Sequence, residues 1–328
     1  MHEPAIAILA PWIERTHSLP DPAVTLLRAY TNDVYLVESR QERYVLKLYG
    51  TGWRQDSEIR FEVDLLNHLA SNGVLVARPI RGRDGEVLQF LTMCGLRRQA
   101  VLFEFAAGEK PVPPFSTDTY YREGKAVGEL HLAADDFTSG HARWTLDLAT
   151  LIDEPLALVQ ALDIDDSIKQ SLLGSAAWFR AEIETRARAG LDWGVCHGDL
   201  TFDNLHITGA GRFVWYDFDS GGMGWRAIDL QGWAFGNPVW SAHWHAFQEG
   251  YRESRPISES DMAAAPYLFA AQEIWGIKVD LERRVIARGS AAVHRHLVKR
   301  ASQLEARRDQ LARGDLSPIQ GRVIRSKP

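Results

Sequence analysis

Along the first hundred residues, apolar positions come in short β-branched runs separated by polar turns. Val24–Tyr30, Val34–Glu38 and Tyr44–Tyr49 are such runs, split by Thr31-Asn32-Asp33 and by Ser39–Arg43. They predict a three-stranded antiparallel meander. A short helix is expected before them, over residues 4–18, ended by Pro20 and Pro22. The spacing of Ile59, Val63, Leu66 and Ala70, with Leu65 and Leu69, predicts a helix over Ser57–Asn72, closed by Asn72-Gly73. Val76–Arg81 and Val87–Leu91 flank Gly82-Arg83-Asp84-Gly85 and read as a hairpin, and Gln99–Phe105 reads as one more strand. A proline cluster, Pro111-Val112-Pro113-Pro114, then marks a change of composition.

Beyond that point the apolar period becomes mainly helical. Helices are expected over Asp118–Ala134, capped by Thr117 or Asp118, and over 153–162, 166–189, 226–235, 240–253, 259–287 and 291–312. A small β insertion, Gly194–Cys196, Leu205–Thr208 and Arg212–Phe218, interrupts them, and the tail after Gly314 is expected to be loose. The expected fold class is α+β, with a boundary at residues 105/106: a β-rich unit over 1–105 and a larger helical one over 106–328.

Composition narrows the function. The 328 residues provide ample core, and a net charge of −6 gives no electrostatic case for nucleic-acid binding. No apolar run approaches the roughly 18–20 residues that span a bilayer. The first twenty residues lack a basic start and a long apolar core, so a secretory signal is not expected. Cys94 and Cys196 are the only cysteines, which suits a reducing compartment, and a cytoplasmic protein is the default expectation. Oligomeric state is not legible.

The chemistry concentrates in His197-Gly198-Asp199-Leu200-Thr201-Phe202-Asp203-Asn204 and the following Val214-Trp215-Tyr216-Asp217-Phe218-Asp219. Asp199 and Asn204 are five residues apart, so one loop can aim both at the same place. The apolar run Phe213–Tyr216 reads as a strand delivering Asp217 at its end. A carboxylate to orient a hydroxyl, with hard oxygen ligands for Mg²⁺, is what phosphoryl transfer from a nucleotide needs.

HGDLTFDN followed by YDFD resembles the aminoglycoside phosphotransferase/choline kinase superfamily, most of all the branch of type II homoserine kinases and the bacterial stress-response Ser/Thr kinase. YTNDVYLVE, YVLKLYG, SEIRFEVDLLNHL, VARPI, LFEFAAGE, VGELHLAADDF and GMGWRAIDLQGWA extend the resemblance over residues 24–280. It implies a bilobal protein-kinase-like fold that uses ATP (GTP stays open) and Mg²⁺. The small N-lobe would hold an antiparallel sheet with one helix, and the larger C-lobe would be mainly helical. It also implies roles: Lys47 on the phosphates, paired with Glu62; Glu104, Phe105 and Ala106 as the hinge that holds adenine. Asp199 would be the catalytic base, Asn204 and Asp217 the Mg²⁺ ligands, and Asp229 the support of the catalytic loop. Asn32 lies where a phosphate-covering loop belongs, although Tyr30–Val34 contains no glycine.

Competing readings stand beside these. Glu58, one turn before Glu62, is the other candidate partner for Lys47. His197 reads as structural, Asp203 as a solvated carboxylate and Cys196 as a buried strand residue. For Asp219 three roles are open: a second Mg²⁺, substrate contact, or a turn cap. Trp225 or Trp240 could line a substrate pocket. The pairs His243/His245 and His294/His296 are poorly spaced for a metal on a helix. The leading functional expectation is a kinase acting on a hydroxyl of a small molecule: an amino alcohol, an amino acid or an antibiotic. The alternatives are a protein Ser/Thr kinase and a non-catalytic nucleotide-binding regulator. Only eleven residues separate Asp217 from Asp229, short for a peptide-docking segment.

Overall fold

The computed structural model of the chain describes residues 3–93, 95–230 and 240–316. Cys94, the end of the helix expected over 226–235, the side chain of Trp240 and most of the tail after Gly314 lie outside the described residues. The fold is α+β and divides into two compact units. The first holds residues 1–109, 136–143 and 205–219; the second holds 110–135, 144–204 and 220–328.

In the first unit, α1 (Glu3–His17) precedes the meander β1 (Ala23–Ala29), β2 (Asn32–Ser39) and β3 (Glu42–Tyr49), and α2 (Asp56–Ser71) follows. Then come β4 (Pro79–Ile80), β5 (Gln89–Met93) and β6 (Leu96–Glu104). The sheet runs β1-β2-β3-β6-β4, with β5 also on β6, and its pairings are antiparallel. One face is apolar. Leu9, Trp12 and Ile13 of α1 pack there against Val24, Tyr35, Val37, Leu46, Leu48 and Leu102. Among the described residues this unit carries α1 and α2, close to the helices expected over 4–18 and Ser57–Asn72. Strand alternation sends Lys47, between Leu46 and Leu48, to the opposite face.

The hairpin expected from 76–91 does not form. Its turn exists, with the Gly82 and Gly85 amides bonded to Glu86 and Gly82 carbonyls, but both arms pair with β6 instead. Strand β6 is nine residues long and has an edge free beside β3. β5 takes its first half, Leu96–Ala100, and β4 its second, Leu102 and Phe103. The expected β insertion also splits. β9 (Leu205–Ile207) and β10 (Phe213–Trp215) pair with each other. The Val76↔Trp215 bridge, and Glu109 against Ile207, tie them to the first unit. Strand β10 ends at Trp215, so Asp217 lies two residues past it.

In the second unit, β8 (Trp193–Cys196), expected over Gly194–Cys196, pairs with β11 (Gly222–Trp225), and β11 with β7 (Thr145–Leu146). The periodicity does not reveal β11 and β7, which are four and two residues long. The helices are α3 (Thr117–Ala133), α4 (Glu154–Ala161), α5 (Asp166–Ala187), α6 (Trp240–Ser254), α7 (Glu259–Asp280) and α8 (Ser290–Ala312). The α3 cap is Ser116, whose hydroxyl accepts from the Thr119 amide, rather than Thr117 or Asp118. Helix α7 ends at Asp280, and the rest of the stretch expected through 287 is a wider turn followed by a tighter one.

Helices α3 and α6 approach closely because Gly124 and Gly250 carry no side chain; a Cβ on either would overlap a backbone carbonyl of the facing helix, Phe247 or Tyr121. Beside Gly124, Glu123 is fully buried and its Oε2 has no hydrogen-bond partner. Burial pushes its carboxyl well above the ordinary 4.5. The unfolded chain releases this proton as pH rises past 4.5, while the folded chain keeps it. Stability is therefore fully present below that value and declines toward the raised one. Glu123→Met should be more stable than the parent at pH 8 by about 1–3 kcal/mol, with a smaller gap at pH 4.5. Urea midpoints at the two pH values check this; a gap independent of pH would contradict it.

Candidate functional site

Each unit carries one cluster of the sequence-predicted residues. In the first, Lys47 is buried on β3, and its Nζ lies 3.0 Å from Glu62 Oε1, 3.1 Å from Asp217 Oδ1 and 4.0 Å from Asp219 Oδ1. Burial alone would depress the ammonium. Glu62, with Tyr49, Asp217 and Asp219, outweighs it and holds Lys47 above its ordinary value, charged at all working pH. Glu62 is placed by α2, and the Tyr49 hydroxyl donates to its other oxygen at 3.1 Å. Glu58 is engaged elsewhere: its carboxylate accepts from the Gln55 amide at 2.8 Å and caps α2.

Asp217 follows β10 with φ +63°, a left-handed conformation that a non-glycine residue adopts at a cost of about 1 kcal/mol or more. Asp219, two residues on, anchors this turn. Its Oδ2 accepts from Asn32 Nδ2 at 3.1 Å and Trp53 Nε1 at 2.7 Å, and its Oδ1 from Arg54 Nε at 3.2 Å. Its backbone carbonyl accepts from Arg54 and Arg143, each at 2.8 Å. Burial would raise its carboxyl, but Arg54, Lys47, the Trp53 bond and Arg143 hold it below the usual carboxylate range. Of the three roles open for Asp219, the geometry is that of a turn anchor with both oxygens occupied. Asn32, too, spends its side chain on Asp219 and on the Gly50 amide. Any phosphate contact from this turn would therefore come from another group.

The segment Glu104–Ala106 lies in the same unit. Glu104 forms two bonds to Arg78, at 2.7 and 3.0 Å. The Arg43 guanidinium sits 4.1 Å over the Phe105 ring. His206 Nδ1 donates to the Ala106 carbonyl at 2.8 Å.

The second cluster is the loop after β8. Asp229 organises it by accepting from the backbone amides of His197 at 2.6 Å and Gly198 at 2.8 Å. Buried His131 reaches the same carboxylate through Nε2 at 3.2 Å, and its Nδ1 then accepts from the Tyr251 hydroxyl at 2.9 Å. Gly198 has φ +77°, and a Cβ there would overlap the Ser220 carbonyl, so no other residue fits. Gln272 of α7 donates to the Gly198 carbonyl at 2.9 Å. The buried ring of His197 accepts the Asp199 amide at 3.2 Å. Asn204 Nδ2 donates to both Asp199 Oδ2 and its carbonyl, at 2.8 and 2.9 Å, which directs the amide oxygen away from that carboxylate. Asp203 pairs with Lys110 at 2.6 Å, and Trp225 stands edge-on to Trp193, 5.4 Å across the β8–β11 pair. Cys196 is buried, and burial raises its thiol well above its ordinary value.

The oxygens of Asp217 and Asn204 are hard donors that fit Mg²⁺. Asp217 belongs to the first unit and Asn204 to the second. Among the described residues, no group of three His, Cys, Asp or Glu side chains is placed to hold a metal ion. His243 stacks on Tyr120 at 4.3 Å, and His296 lies 3.7 Å from Asp280.

Residues 23–265 match the model of the phosphotransferase enzyme family. The chain belongs to that family. An uncharacterized protein of Deinococcus radiodurans is 35% identical over 278 residues, which cover 81% of this chain and 79% of that protein. The homoserine kinase of Methylobacterium radiotolerans is 29% identical over 245 residues, with 72% and 73% covered. A microcompartment-associated aminopropanol kinase shares the fold at a TM-score of 0.76 and 20% identity, over 94% of this chain and 99% of that one. Amicoumacin kinase hAmiN, solved with AMP-PNP, Ca²⁺ and Ami, shares it at 0.74 and 20%, over 98% of each chain. Among the described residues, no helix is long and apolar enough to cross a membrane.

Sequence reasoning missed the partners of Asp219. Trp53 and Arg54 sit in an ordinary-looking loop, and Arg143 in a polar linker. Removing the anchor strands Arg54 and strips the turn of its partners. Asp219→Ala should therefore cost about 3–5 kcal/mol, the range for breaking a buried ion pair. Chemical denaturation of the two proteins measures it; an unchanged midpoint would mean that Asp219 has no structural work.

Proposed function

We propose that this phosphotransferase is an ATP- and Mg²⁺-dependent kinase that moves the γ-phosphoryl group to a hydroxyl of a small amino alcohol or hydroxy amino acid. The observation that carries the reading is the buried Lys47, charged and aimed between Glu62 and Asp217. A buried ammonium with a fixed partner is a phosphate ligand prepared in advance. The relatives named for homoserine and aminopropanol support the acceptor class. Cytoplasmic placement fits such a substrate and belongs to the same proposal.

In this reading, Asp199 orients the acceptor hydroxyl and takes its proton, with its carboxylate held in place by Asn204. Lys47 binds phosphate oxygens, and the backbone of Glu104–Ala106 receives the base. Asn204 and Asp217 would hold Mg²⁺, which when bound offsets charge on the phosphates. The segment from Phe218 to Leu230 is taken up by two tight turns and β11. A segment so fully paired has no length left to bind a peptide, which favours a small acceptor over a protein.

Asp199→Asn should lower turnover by about 10³-fold while leaving AMP-PNP affinity within about threefold. A coupled ADP-release assay over a panel of amino alcohols and hydroxy amino acids, with calorimetric titration of the nucleotide, measures both. Turnover within tenfold of the parent would remove Asp199 from the chemistry. Absence of turnover by the parent with every acceptor would overturn the substrate class.

A further inference from the structure

We infer that Arg28 is a second phosphate-binding cation beside Lys47, in place of the glycine-rich backbone that Tyr30–Val34 lacks; this rests on the nucleotide-binding reading above. The basis is a break in strand alternation. Leu26 of β1 pairs with Tyr35, and Tyr35 with Leu46, all on the apolar face against α1. In a regular strand Arg28, two residues on, would point the same way. The register instead shifts between Leu26 and Arg28, and Arg28 pairs with Val34, which itself pairs with Lys47. Leu27 is the extra residue of a β-bulge and is left 53% exposed. The bulge turns Arg28 onto the face that carries Lys47.

Its guanidinium then approaches the same carboxylate. Arg28 Nη2 lies 3.8 Å from Asp217 Oδ2, and Lys47 Nζ 3.1 Å from Asp217 Oδ1. Two cations thus flank one carboxylate, and only one of them, Lys47, has a second buried partner in Glu62. The Arg28 side chain is half-exposed, so its remaining N–H groups are open to a ligand from solvent. A planar guanidinium offers phosphate two parallel donors, which an exposed leucine and a register break do not need for folding alone. The ligand class is the terminal phosphates of a nucleoside triphosphate.

Calorimetric titration of the full chain with Mg²⁺·AMP-PNP and with adenosine tests this, in the parent, Arg28→Ala, Arg28→Lys and Lys47→Met. Arg28→Ala should weaken AMP-PNP by about 10–100-fold, the loss of one charge-assisted bond. Adenosine binding should stay within twofold, and Arg28→Lys should recover part of the loss. Unchanged AMP-PNP affinity in Arg28→Ala, while Lys47→Met weakens it, overturns the role of Arg28 alone. Equal loss of AMP-PNP and adenosine overturns it in favour of a packing role. A parent protein that binds neither overturns the nucleotide reading together with it.

Discussion

A lysine charge taken out of water is the constraint around which the first unit is arranged. Lys47 has no solvent to stabilise it, and burial by itself would discharge it. It stays charged because Glu62 arrives from α2 and Asp217 from the turn after β10. Each of those carboxylates needs its own support. Tyr49 holds Glu62; Asp219, bonded to Asn32, Trp53, Arg54 and Arg143, holds the turn that carries Asp217. The supports come from five separate stretches of chain, which is why a meander, a helix and a strand pair distant in sequence form one compact unit.

In the loop of the second unit, carboxylates are held by neutral donors instead. Asp229 collects two consecutive amides, Gly198 supplies a conformation that no side chain tolerates, and Asn204 locks Asp199. In the proposed reaction, a carboxylate fixed in this way would lose little entropy on meeting a hydroxyl, the contribution that positioning makes to phosphoryl transfer.

Much of this was legible because it is local. The alternation around Lys47 placed it between two core residues, and helical spacing reduced its partner to Glu58 or Glu62. The structure chooses Glu62, since Glu58 is drawn into a cap that its position in the first turn of α2 favours. Legibility failed where contacts span long distances along the chain. Nothing near Arg54 points to Asp219, 165 residues away. The turn at 82–85 was readable, but not the open edge of β6 that takes both of its arms. Two- and four-residue strands such as β7 and β11 carry too little period to see. The bulge at Leu27 is invisible for the same reason: one extra residue looks like uninterrupted strand.

In the proposed reaction, the Asp217 carboxylate that Lys47 and Arg28 share would pass to a divalent metal once nucleotide is bound. Electron paramagnetic resonance of Mn²⁺ added to the protein with and without AMP-PNP tests it most directly. One tightly bound Mn²⁺ per chain is expected, requiring the nucleotide and lost in Asp217→Asn. Nucleotide-independent binding, or an unchanged signal in that variant, would contradict it.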